Sequence, residues 1–126
     1  MNILITGSTG QLGSSLYEYL TLKGESVTRF DRGDFSWISH KHNIDQFVLF
    51  DCIIHTAANT DVEGCELDPF SCYRDNALLT ERLAYAACNA NCKFIFISST
   101  GIYGTEKTEE PYSEYDTVNP TTIHHR

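Results

Sequence analysis

Apolar and polar positions along this 126-residue chain alternate between short β-rich runs and amphipathic stretches. Ile3, Leu4 and Ile5 form the first apolar run; glycines follow at 7, 10 and 13, and then an amphipathic segment from Ser14 to Lys23. Strand, tight turn and helix is the reading. Gly24 punctuates, and Ser26–Phe30 reads as a second strand ending at Asp31. The pattern weakens from Gly33 to Phe50, where a faint third strand near Asp34–Ser36 and a helix from about Ser39 to Leu49 are expected. Cys52–Thr56 is a clearer strand, and Asn59–Asp68 reads as a polar loop containing Gly64. Pro69 suits the first position of a helix running to Asn89 or Ala90. Its inward face would be Phe70, Tyr73, Ala77, Leu83, Ala84, Ala87 and Cys88. Lys93–Ser98 is apolar through its centre, as expected of a strand buried on both faces of a parallel sheet.

Strands alternating with helices imply right-handed crossovers and an α/β, Rossmann-like parallel sheet with helices on both faces, in the order 3-2-1-4-5. The length suits one domain spanning residues 1–126. An apolar fraction of 41% and a charged fraction of 21% are ordinary for a soluble protein, and no stretch is apolar enough to span a bilayer. The net charge of -8 argues against a nucleic-acid partner. The chain starts on a strand with no signal-peptide pattern, so a cytoplasmic location is expected. Five cysteines, at 52, 65, 72, 88 and 92, include no C-x-x-C pair. They are expected to be reduced, with no metal role, and His40 and His42 to be solvated.

The chemistry concentrates at the glycine turn. Gly7 permits a sharp turn off the strand, Gly10 a close approach to a diphosphate, and Gly13 tight packing of helix on sheet. The first helical turn welcomes an anion. Thr9, Gln11 and Leu12 belong to the same expected cofactor site. Packing alone could also shape such a βα turn. Asp31 stands where a dinucleotide fold binds the adenosine ribose hydroxyls, which favours NAD over NADP; the neighbouring Arg32 could instead pair with a 2′-phosphate. Ala57 and Ala58 are small enough for a cofactor to lie against the backbone. Ser98, Ser99 and Thr100 place hydroxyls at the carboxyl end of a strand.

The ordered set I-T-G-S-T-G-Q-L-G, H-T-A-A-N-T-D-V-E-G-C-E-L-D-P, Y-R-D-N-A, I-S-S-T-G-I-Y-G and E-P-Y-S-E-Y-D-T-V-N-P resembles the extended short-chain dehydrogenase/reductase superfamily. The likeness is strongest to dTDP-4-dehydrorhamnose reductases, then to nucleotide-sugar epimerases and dehydratases. It implies NAD or NADP as cofactor and hydride transfer to a sugar nucleotide. It places the substrate-binding hydroxyl on Ser99, with Thr100 beside it, and the helix Asn on Asn76, which from the residues alone would be solvated.

The resemblance also implies a Tyr four residues past Pro120, where this chain has His124, and a Lys four residues later, at 128. The expectation is therefore an N-terminal portion of such an enzyme, inactive alone, or a non-catalytic dinucleotide-binding module. Without further strands beside it, Lys93–Ser98 would be an open edge inviting association, as a homo-oligomer or a mixed complex.

Overall fold

The computed structural model describes residues 1–31, 47–105 and 109–126. Four parallel strands form one sheet: β1 (Asn2–Thr6), β2 (Ser26–Phe30), β3 (Cys52–His55) and β4 (Lys93–Phe96), in the order β2-β1-β3-β4. This is the expected order apart from the faint strand at 34–36, which lies outside the described residues, as do Arg32, His40, His42 and most of the helix expected at 39–49. Register aligns Thr6 with Phe30 on one side and with His55 on the other, and His55 with Phe96. All four carboxyl ends therefore lie along one edge of the sheet, where open α/β sheets bind their ligands.

Two apolar layers sandwich the sheet. Ile3, Ile5, Cys52 and Ile54 face Leu16, Tyr17 and Leu20 of α1 (Gln11–Leu22). Leu4, Phe30 and Ile53 face Leu83, Ala86 and Ala87 of the helix that precedes β4. Alternate residues of β1 thus feed opposite cores, so the strand reads as a continuous apolar run.

Three expectations change. The first concerns Asn59–Asp68, which holds a short helix, α2 (Val62–Leu67), rather than loop throughout: the Asp61 carboxylate accepts from the Gly64 amide at 2.9 Å and supplies the missing cap.

The second concerns the long helix expected from Pro69. It runs as α3 (Pro69–Cys72), a π-helical turn (Tyr73–Leu78) and α4 (Leu79–Asn89). In the π-turn the Leu79 amide bonds back to the Arg74 carbonyl. The wider turn shifts the helical phase, so a stripe drawn at a constant 3.6-residue period does not stay inward. Phe70, Tyr73, Ala77 and Cys88 are exposed, whereas Cys72, Leu83, Ala86 and Ala87 are buried.

The third concerns β4, which was expected to be covered on both faces. Ile95, Phe96 and Ile97 are 36%, 50% and 43% exposed; among the described residues β4 pairs with β3 alone and stands last in the sheet.

The cysteines also depart from the reduced state expected of them. Cys65 in α2 and Cys72 in α3 are joined in a disulfide, their Cα atoms 5.0 Å apart across the α2–α3 turn. Cys52, Cys88 and Cys92 are free, Cys52 and Cys92 being buried. Burial pushes the thiols of Cys52 and Cys92 above the usual range.

Candidate functional site

The turn between β1 and α1 is built by its glycines. Gly7 adopts φ +68°, and a Cβ there would lie 2.7 Å from the Ala57 backbone. Its amide donates to the Phe30 carbonyl at 3.1 Å, tying the turn to the end of β2. The Gly10 amide donates to the Gly7 carbonyl at 3.0 Å. Gly13 is buried, and a Cβ there would run into that same carbonyl oxygen. No side chain caps α1, and its first turn carries no acid, so the positive end of its dipole is left for a ligand.

Above this turn lies a cleft of about 570 Å³. Gly7, Thr9 and Gly10 form one wall, Thr56, Ala57, Ala58 and Asn59 the floor, and Arg74, Leu78 and Arg82 the opposite side. Asp31 closes one end; its Oδ2 accepts from the buried Ser8 hydroxyl at 2.7 Å, which fixes the carboxylate at the cleft. Six expected cofactor residues, Gly7, Thr9, Gly10, Asp31, Ala57 and Ala58, thus come together around one cavity. Gln11 and Leu12 are exposed in the first turn of α1, and Gly13 packs beneath the turn, so these three do not line the cleft. Sequence reading passed over Thr56, Asn59, Arg74 and Arg82. Arg74, Leu78 and Arg82 recur every four residues, a spacing that could have marked them as one helical face.

Behind the floor runs a buried relay. The Ala57 amide donates to Thr6 Oγ1 at 3.3 Å, and Thr6 Oγ1 lies 2.6 Å from His55 Nδ1. His55 Nε2 lies 2.9 Å from Thr80 Oγ1, whose hydroxyl donates to the Asn76 carbonyl at 2.5 Å. That last donation commits the Thr80 proton, so His55 carries its own on Nε2 and accepts at Nδ1. His55 is 1% exposed, and burial lowers its pKa to about 4, so it is neutral at physiological pH.

Asn76 sits in the π-turn, and its side chain is not solvated. Oδ1 accepts from the Asn59 amide at 2.6 Å, and Nδ2 donates to the Asn59 carbonyl at 3.0 Å. The pair fastens the floor loop as a backbone partner would. Nδ2 also lies 3.3 Å from His124 Nδ1 and 3.4 Å from Cys72 Sγ. Asn76 and His124, separated by 48 residues, therefore meet.

Ser99 and Thr100 lie beyond β4 on the ligand edge, exposed, and do not line the cleft. Ser99 caps a 3-10 turn (Thr100–Tyr103), its Oγ accepting from the Gly101 amide at 3.1 Å.

Among the described residues no helix is long and apolar enough to cross a membrane. The family model described as the RmlD substrate binding domain matches residues 1–126. The dTDP-4-dehydrorhamnose reductase of Mycolicibacterium smegmatis is 29% identical over 98% of this chain and 38% of its own. Among solved structures, the dTDP-4-dehydrorhamnose reductase of Clostridium acetobutylicum superposes with a TM-score of 0.88 at 32% identity, covering 98% of this chain and 45% of its own. The Bacillus anthracis enzyme of the same name, solved in complex with NADP, gives 0.85 at 29% identity, covering 98% and 44%. The chain thus spans about two-fifths of the length of the relatives it matches. With every one of its residues matched by the family model, the chain belongs to the RmlD substrate-binding-domain family.

Proposed function

We propose that residues 1–126 form one domain, the NAD(P)-binding portion of a nucleotide-sugar reductase of the dTDP-4-dehydrorhamnose reductase type. The observation that carries this reading is the cleft over the glycine turn, with Asp31 at its end and Ala57 and Ala58 on its floor. The residues present fit a dinucleotide. Gly7 and Gly10 leave the space that side chains would fill, and the uncapped end of α1 offers the diphosphate its amides. Arg82 adds positive charge to the opposite side of the cleft. Asp31 receives the ribose hydroxyls and repels a 2′-phosphate. The bound nicotinamide would supply the hydride. Ser99 and Thr100 are proposed to hold the substrate oxygen, and Asn76 to fix the floor loop.

Titration with NADH and NADPH, followed by nicotinamide fluorescence, tests the reading. Saturable binding is expected, with NADH favoured by about tenfold, equivalent to about 1.4 kcal/mol. Asp31→Ser should narrow that gap. Absence of binding by either nucleotide at millimolar concentration would sink the proposal.

A second reading is a dinucleotide-binding module without chemistry of its own, favoured by His124. It stands at the resemblance's Tyr position, where an imidazole replaces the phenol, and its Nδ1 lies 3.3 Å from Asn76 Nδ2. Sugar-nucleotide-dependent oxidation of NAD(P)H separates the two readings. Little turnover is expected from these 126 residues alone, whereas appreciable turnover abolished by Ser99→Ala would overturn the second reading. Association through the β4 edge also belongs to the proposal, because exposed apolar strand edges pair readily.

A further inference from the structure

His124 lies far from Cys65 and Cys72 in sequence, yet one ligating atom from each of the three lies within 4.8 Å of the other two. Cys65 and Cys72 are 0% and 2% exposed, and His124 is half-buried. The cluster stands beside the dinucleotide cleft, not in it. Three elements hold it: α2 supplies Cys65, α3 supplies Cys72, and a 3-10 turn (Ile123–His125) supplies His124. That turn is pinned by its own hydrogen bond, the Ile123 amide donating to Glu66 Oε1 at 2.7 Å. Asn76 Nδ2 lies 3.3 Å from His124 Nδ1 and 3.4 Å from Cys72 Sγ; one of its two N–H groups is on the Asn59 carbonyl, which leaves one for these two acceptors. Because an amide NH2 only donates, His124 Nδ1 and Cys72 Sγ meet it as acceptors, the character a cation requires of its ligands.

We propose that these three side chains form a site for one zinc-class divalent cation when the two cysteines are reduced, the disulfide being its cation-free state. Two sulfurs and one imidazole nitrogen are the donor set of a tetrahedral site that keeps one position for water. Zn–S bonds of about 2.3 Å set ligand atoms about 4 Å from each other, so on reduction the two sulfurs separate while the imidazole nitrogen draws in. An external dithiol gives two electrons and two protons to the Cys65–Cys72 bond, leaving two thiols and its own cyclic disulfide. Cation binding then displaces both thiol protons. His124 Nδ1 contributes its lone pair, while Asn76 keeps the Asn59 carbonyl and donates to the Cys72 sulfur. The bound ion would fasten the 123–125 turn to α2 and α3, next to the residue that holds the floor loop.

The test is titration of the dithiol-reduced, desalted protein with Co²⁺ under argon. One equivalent should give the near-ultraviolet thiolate-to-cobalt band and visible bands of tetrahedral coordination, and Zn²⁺ should bleach both. Cys65→Ser and Cys72→Ser should each cut the thiolate band sharply. His124→Gln, on a half-buried ring and therefore mild for folding, should weaken Co²⁺ affinity at least tenfold. Cys88→Ser, at an exposed free thiol, should change nothing, and the oxidised protein should show no thiolate band. A reduced, folded protein without that band overturns the proposal. So does a band that persists at unchanged affinity in both His124→Gln and Cys65→Ser.

Discussion

At the scale of single residues, three positions carry unequal physical loads. Gly7 carries a backbone load. Its φ of +68° and the adjoining Ala57 backbone exclude any side chain, so Gly7→Ala should cost about 2 to 4 kcal/mol in chemical denaturation and weaken dinucleotide binding by at least tenfold. Asn76 carries a polar load. Replacing it with Ala would strand the amide and carbonyl of Asn59, at a cost of about 1 to 3 kcal/mol by the same measurement.

His55 carries an electrostatic load whose sign follows from burial. Its folded pKa of about 4 lies below the unfolded value of 6.5, so between these the unfolded chain binds the extra proton. Stability is unaffected by His55 above pH 6.5 and falls as pH drops, by about 3 kcal/mol at pH 4. Unfolding free energies measured at pH 7 and at pH 4 should differ less in His55→Gln than in the parent by about that amount. An equal difference in both proteins would refute the assignment.

At the scale of elements, how much could be read from the sequence depended on whether the signal was local. The Ile3–Ile5 run, the glycine spacing and Pro69 are local signals, and the structure places β1, α1 and α3 where they indicate. Of the cleft, Gly7, Thr9, Gly10, Ala57 and Ala58 were legible for the same reason, whereas Thr56 and Asn59 of the floor were not. The π-turn was not legible, because one widened turn leaves composition unchanged while rotating every later side chain; Cys88, which follows it, read as inward and is exposed. The Cys65, Cys72 and His124 cluster was hidden differently, since only folding brings the chain near 124 onto α2 and α3. Asn76 had only one weak clue, a polar side chain in mid-helix. The free thiols give a test at this scale. Cys88 is exposed, whereas Cys52 and Cys92 are buried with their thiols pushed up, so a maleimide should label Cys88 first and the other two only on unfolding.

At the scale of the whole molecule, β4 stands last among the described strands of the sheet. Ile95 and Phe96 of β4 and Ile97 just after it are exposed, and none of the three is a lysine or proline of the kind that commonly blunts an edge. Sedimentation should detect association at micromolar concentrations, and Ile97→Lys should shift the protein toward monomer. A parent that sediments as a monomer throughout would remove the edge from consideration.

The all-parallel register also governs how the chain reaches its shape. No two neighbouring strands are joined by a hairpin: Asn2 must find Ser26, Ile3 must find Cys52, and Cys52 must find Lys93. The strand made first is flanked by two others, so its second neighbour arrives only after a long stretch of chain has been ordered. Each pairing closes a large loop before any contact rewards it. Refolding should therefore proceed in milliseconds to seconds rather than microseconds, with β1 docking late on the side of β3.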